Sequence, residues 1–165
     1  PAFRKDEGSV TAGNASGLND GSAALLLANE QGLKDQGLDP IAEIISSAVV
    51  GVEPRIMGIG PVKASEIALK RAGIGFDDLD VIELNEAFAA QALACIRAWG
   101  LSDDDHRINP NGGGISLGHP LGVTGSRILL AAARQLKRSE GKYGLITLCI
   151  GVGQGYAVVI KNTQA

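Results

Sequence analysis

Three short stretches of this sequence carry side chains suited to proton transfer and to stabilising a developing oxyanion. The first is the loop Asn109–Arg127, NPNGGGISLGHPLGVTGSR, which holds His119 between Gly118 and Pro120. Glycine loses more backbone entropy on ordering than any other residue, so a run of it suits a place where something must approach the main chain closely. A helical pattern begins at about Thr124, so the histidine sits near a helix N-terminus, where free N–H groups and the helix dipole favour an anion. A histidine of near-neutral pKa in that position suits a general base, worth roughly 10²–10⁴-fold in rate. The plain alternative is a loop histidine satisfied by local hydrogen bonds.

The second stretch is CIGVGQG, with Cys149 late in an apolar run and Gly151 just after it. A cysteine there is by default a small buried hydrophobe. The glycines that follow offer unhindered backbone N–H groups beside a thiol, which is what an oxyanion hole requires; one such donor is worth about 2.7–4 kcal/mol. The third stretch is NEAFA. Asn85 is among the best N-cap residues, and capping is compatible with holding a catalytic water. Glu86 would fall at the first helical position, where a carboxylate is favoured in any case. Cys95 lies on the apolar face of the same helix pattern and reads as core. His106, in LSDDDHR, reads as a solvated loop residue.

These stretches need elements to present them. SAALLLAN reads as a short buried run, and EQGLKDQ as a brief helix stopped at Gly37. Asp39-Pro40 punctuates the chain, so residues 1–40 and 41–165 are expected to be separate regions. Beyond it, 41–52 reads as a strand and 60–73 as a helix with Pro61 in its first turn and Gly73 as its stop. Residues 80–84 read as a strand and 85–100 as a helix capped by Asn85. Ile108 to Asn111 reads as a short strand, 125–139 as a helix, and 143–150 with 156–161 as a strand hairpin. The order βαβαβαββ predicts an α/β fold, a layered mixed sheet flanked by helices, with the loaded stretches after strand ends, where sites form in such sheets.

The composition excludes several classes. The chain has 165 residues, 45% hydrophobic and 20% charged, with a net charge of −3 and 23 glycines. That size bounds it to one domain, or one and a piece. The acidic balance argues against nucleic acid as a partner. No apolar run reaches the roughly 18 residues of a membrane span, so no membrane partner is expected. Two cysteines are too few for a disulfide framework, which predicts a reducing, cytoplasmic setting. No HExxH, paired CxxC or phosphate-loop motif occurs, so no metal site or bound nucleotide cofactor is expected, and GVGQG is followed by a strand pattern rather than a helix. The opening at Pro1, without a leading element, predicts a fragment of something longer.

Taken in order, TAGNASGLNDGSAAL, GVEPRIMGIGP, DVIELNEAFAAQ, GGGISLGHPLGVTGSR and CIGVGQG resemble the C-terminal part of the thiolases, the acyl-CoA C-acyltransferases. The likeness covers essentially the whole chain, and is nearest to degradative thiolases acting on 3-oxoadipyl-CoA. It implies thiolytic cleavage of a 3-oxoacyl-CoA by coenzyme A, with CoA as a substrate and no covalently bound cofactor. It also implies that His119 is the base activating a nucleophilic cysteine and a donor to the thioester oxyanion, and that Asn85 holds a water completing that hole. Cys149 would be the acid/base, and Gly151 would give its N–H to a second oxyanion hole. Ala12 and Ser16 match positions lining the CoA pantetheine, with Phe88 a further candidate. Gly114 and Ser116 stand where the family commonly has alanines. The resemblance places the nucleophilic cysteine in a preceding half, here unmatched, so the chain alone is expected to be inactive. Acyl-CoA, CoA, that N-terminal half and a second copy in a homo-oligomer are the expected partners. Residues 1–40 would be the tail of the preceding region and 41–165 the C-terminal thiolase domain. A biosynthetic acetoacetyl-CoA thiolase and a non-catalytic acyl-CoA-binding module are the alternative readings.

Overall fold

The computed structural model describes residues 6–164. Strands β1 (Ala42–Gly51), β2 (Val81–Leu84), β3 (Tyr143–Ile150) and β4 (Gln154–Asn162) form one sheet in the order β1-β4-β3-β2. β1 and β3 both run antiparallel to β4, whereas β2 runs parallel to β3 with Leu84 opposite Thr147. The helices are α1 (Glu30–Gln36), α2 (Gly60–Ala72), α3 (Ala89–Ala98), α4 (Gly114–Leu117) and α5 (Thr124–Ser139). This is the mixed, helix-flanked sheet that the alternating strand and helix periodicities predict.

The two faces of the sheet are covered differently. On one, Ala64, Ala68 and Leu69 of α2 pack on Ala48, Ile82, Leu145, Ala157 and Val159. On the other, Ile128, Ala132, Ala133 and Leu136 of α5 pack on Val81, Ile146, Val158 and Ile160. Strand side chains alternate between faces, which is why Ile82 meets one helix and Val81 the other. The small residues of α2 let it settle close to the strands. At its start Gly60 lies against Gly155 of β4, and a Cβ on either glycine would overlap the other's backbone. Cys95 joins Leu84, Ala92 and Ile96 in a third cluster under α3, as core.

Most helix ends fall where the sequence signals placed them. Gly37 and Gly73 both adopt the left-handed conformation, with φ of 60° and 72°, and close α1 and α2 with backbone hydrogen bonds. Three expectations are corrected. SAALLLAN is not buried: it forms no element, and Leu26 and Leu27 are 79% and 71% exposed. Ile108 to Asn111 is not a strand but a single bridge between Ile108 and Ile82. Asn85 does not cap α3, which starts four residues later with Phe88 at the cap position and extended. Among the described residues no helix is long and apolar enough to cross a membrane.

Candidate active site

The site is built at the edge of the sheet where β2 and β3 end. Because these strands are parallel, their C-terminal ends lie side by side. Asn85 follows β2 directly and donates its backbone N–H to Thr147 of β3 at 3.0 Å. Cys149 lies two residues further along β3, roughly 7 Å on at strand rise, and Gly151 opens the turn to β4. The segment Asn85–Phe88 stays outside α3 because it pairs with the chain's first loop. Ser16 donates its N–H to Ala87 at 3.0 Å, Ala89 donates to Asn14 at 2.9 Å, and Ala15 bridges Phe88.

That same first loop runs on to the glycine-rich loop. The backbone N–H of His119 donates to the Gly17 carbonyl and to Asn19 Oδ1, each at 3.1 Å, and Leu18 bridges His119. Gly118 has φ of 97°, and a Cβ there would collide with the Asn19 side chain, so glycine is required beside the histidine on both counts. Residues 14–19 therefore tie the loop of Asn85 to the loop of His119. Of the residues expected to line a coenzyme A site, Ser16 stands in this tie, with its hydroxyl also 3.3 Å from the Ala87 carbonyl. Phe88 is half-buried at the end of the tie, and Ala12 is exposed before it.

His119 and Asn85 meet. Asn85 is 2% exposed, and its Nδ2 lies 3.5 Å from His119 Nε2. At the other ring nitrogen, Nδ1 is 2.7 Å from the hydroxyl of the fully buried Thr124, the first residue of α5. Thr124 Oγ1 gives its own hydrogen to the Pro120 carbonyl at 3.0 Å, so it can only accept from the imidazole. The network thus assigns the proton to Nδ1 and leaves a lone pair on Nε2, turned toward Asn85. Burial, and secondarily the charge of Arg127, hold the imidazole pKa below its ordinary value and keep the ring neutral. A neutral histidine with a free Nε2 beside an amide donor can take a proton and then share an anion with that amide.

The thiols differ. Burial raises the Cys149 thiol above its usual value, with its own backbone N–H opposing the shift. Cys95 is fully buried, donates from Sγ to the Gly58 carbonyl at 3.4 Å, and is pushed up to about 11, mainly by burial. It is no nucleophile in this setting. The β3–β4 turn that carries Gly151 also holds Val152 at φ of 62°, a left-handed conformation that a β-branched residue rarely adopts. Gly151 itself is exposed, with its backbone open.

Sequence reasoning passed over several participants. Thr124 carried no signal beyond marking the start of a helix. Glu83, 3% exposed on β2, faces α5 as Val81 does, and burial raises its carboxyl to about 7 against the pull of Arg127. Its Oε1 and the Nε of Arg127 have no hydrogen-bond partner among the described residues. Alternation with Val81 was the available signal for Glu83. Glu86 is not in a helix: its carboxylate accepts from Asn109 Nδ2 at 2.9 Å and from the N–H of Ile115 at 3.2 Å.

With this geometry in view, comparison with known proteins settles the class. The chain belongs to the thiolase family: residues 38–162 match the thiolase C-terminal domain, and residues 1–31 match the thiolase N-terminal domain. It is 59% identical over 96% of its length to the beta-ketoadipyl-CoA thiolase of Acinetobacter baylyi. It is 58% identical over 94% of its length to the 3-oxoadipyl-CoA/3-oxo-5,6-dehydrosuberyl-CoA thiolase of Escherichia coli K12. The chain spans 39% of the length of each of these relatives. Among solved structures, human mitochondrial 3-ketoacyl-CoA thiolase in complex with CoA superposes with a TM-score of 0.94 at 50% identity, covering 99% of this chain and 41% of that one.

Proposed function

We propose that this chain supplies the C-terminal part of a degradative thiolase, which cleaves a 3-oxoacyl-CoA with coenzyme A to give acetyl-CoA and a shortened acyl-CoA. The observation that carries the reading is the 3.5 Å approach of Asn85 Nδ2 to a His119 Nε2 left unprotonated by Thr124. In the proposed reaction Nε2 takes the proton of a nucleophilic thiol, and the resulting imidazolium and a water on Asn85 hold the thioester oxygen. Cys149 exchanges the proton of the substrate α-carbon or of the CoA thiol, and the Gly151 N–H faces the second oxyanion. This division of labour suits ping-pong acyl transfer, which needs a nucleophile, a base, an acid/base and two oxyanion holes.

The nucleophile comes from the preceding half. Cys95 is ruled out by its burial, its bond to Gly58 and its raised pKa. Residues 1–40 then belong to the end of the preceding region and line coenzyme A through Ala12 and Ser16, with Phe88 beside them. The match of residues 1–31 to the N-terminal family supports this division. So do Leu18, Leu26 and Leu27, which expose 71–82% of their surface here and would be covered by that half. The names of the bacterial relatives favour 3-oxoadipyl-CoA as substrate. Two free cysteines support a reducing, cytoplasmic setting.

The test is a thiolysis assay on acetoacetyl-CoA and 3-oxoadipyl-CoA. It is run on this chain alone, mixed with the preceding part of the Acinetobacter baylyi relative, and fused to that part. Turnover is expected only when the preceding part is present, with 3-oxoadipyl-CoA preferred, and is lost in His119→Ala and Cys149→Ala. Turnover by the chain alone would overturn the division of the site. Silence from a fused protein that still binds CoA would leave a binding module instead.

A further inference from the structure

Glu86 is the residue whose surroundings the catalytic reading leaves unexplained. Asn109 stands opposite it with φ of 47°, and its side chain imitates a neighbouring strand: Oδ1 accepts from the Leu84 N–H and Nδ2 donates to the Leu84 carbonyl, both at 2.9 Å. The second hydrogen of Nδ2 goes to Glu86 Oε1 at 2.9 Å. The other carboxylate oxygen accepts from Ile115 N–H at 3.2 Å, in the short helix α4 whose end delivers His119. The carboxylate thus joins the residue after Asn85 to the turn before His119. The fit is close: a Cβ on Gly113 would overlap the Glu86 carboxylate, and one on Gly114 would lie 3.1 Å from Asn85 Oδ1.

We propose that Glu86 is a positioning residue, a two-pronged clasp that sets the distance between Asn85 and His119; the inference rests on the catalytic reading of that pair. Both of its partners are N–H donors, so the site requires two acceptor oxygens. A carboxylate supplies them, and a carboxamide supplies one. Charge-assisted bonds are also the stronger kind. Reacting groups displaced by about 1 Å from productive geometry can cost roughly 10²-fold in rate. The clasp therefore acts on turnover and not on coenzyme A binding.

The experiment uses the fused enzyme described above, unmutated and as Glu86→Gln, Glu86→Ala, Asn109→Ala and the double alanine variant. It measures kcat and KM for CoA, with exchange of the Ile115 amide hydrogen as a second readout. Glu86→Gln, which keeps the size of the side chain, is expected to lose about 10-fold in kcat, and Glu86→Ala up to about 100-fold, with KM moving less than about 3-fold. Ile115 exchange should quicken in both. The double variant should lose little more than the worse single variant, because the two residues act as one unit. Unchanged kcat in Glu86→Gln, or a loss confined to KM, overturns the clasp while turnover that depends on His119 keeps the functional reading intact. An inactive unmutated fusion overturns both.

Discussion

The hydroxyl of Thr124 accepts a hydrogen bond from His119 Nδ1 at 2.7 Å because its own hydrogen is already committed to Pro120. One buried side chain therefore chooses which nitrogen of the imidazole is free. Thr124→Val keeps the shape and removes the acceptor. We expect the fused enzyme to lose about 10-fold or more in kcat, on the scale of a general base held in the wrong state. Nitrogen chemical shifts of the ring should show a mixture of tautomers in place of a single one. A single tautomer with unchanged turnover would refute the assignment.

Arg127 acts on two groups at once. Its charge adds to burial in lowering the His119 pKa, and opposes burial at Glu83. Arg127→Gln should raise both. For His119 the rise is partial, because burial is the larger cause and stays in place. A base must be neutral to work, so the acid limb of the rate profile should move to higher pH. NMR titration of His119 in this chain measures the same change without turnover, and an unmoved titration would contradict it.

Glu83 makes a prediction about stability. Its folded pKa of about 7 lies above the ordinary 4.5, so the fold favours the protonated acid. The stability that this group contributes is fully present below pH 4.5 and is lost as pH rises through about 7. A tenfold change in proton affinity is worth about 1.4 kcal/mol, so the loss is bounded at about 3 kcal/mol. Glu83→Gln, neutral throughout, should flatten the dependence and leave the variant more stable than the parent at pH 8. Urea denaturation across pH 4–8 measures the difference, and parallel curves would exclude the effect.

The strands and long helices were legible because periodicity and helix stops are local properties. Gly37 and Gly73 end their helices with the left-handed backbone that their type suggested. What escaped was decided at a distance. Asn85 carries a strong capping propensity, but a bridge between Ala15 and Phe88 keeps the following residues out of the helix, which begins only at Ala89. Ile108 to Asn111 has a strand-like pattern, yet Asn109 turns left-handed and gives Leu84 a side chain where a strand would give its backbone. The candidate site divides the same way. His119 announced itself through its glycines, whereas Thr124, Glu83 and the Glu86 clasp derive their importance from neighbours that only the fold supplies.

The tie formed by residues 14–19 also bears on how the chain folds. His119 and Asn19 are 100 residues apart in sequence, and Ser16 and Ala87 are 71 apart. Closing loops of that size costs entropy that grows with the logarithm of their length, and contacts of high sequence separation form slowly. Among the described residues β1 pairs in the sheet with β4 alone, and β4 follows it in the chain only after β2 and β3. During synthesis, therefore, the sheet cannot close until the β3–β4 hairpin has emerged. The segment that joins the two loops then has to find them across a finished core. Assembly of the site thus reports that β4 has arrived: a chain truncated before β4 would leave β1 without its partner in the sheet, whatever the state of its other residues.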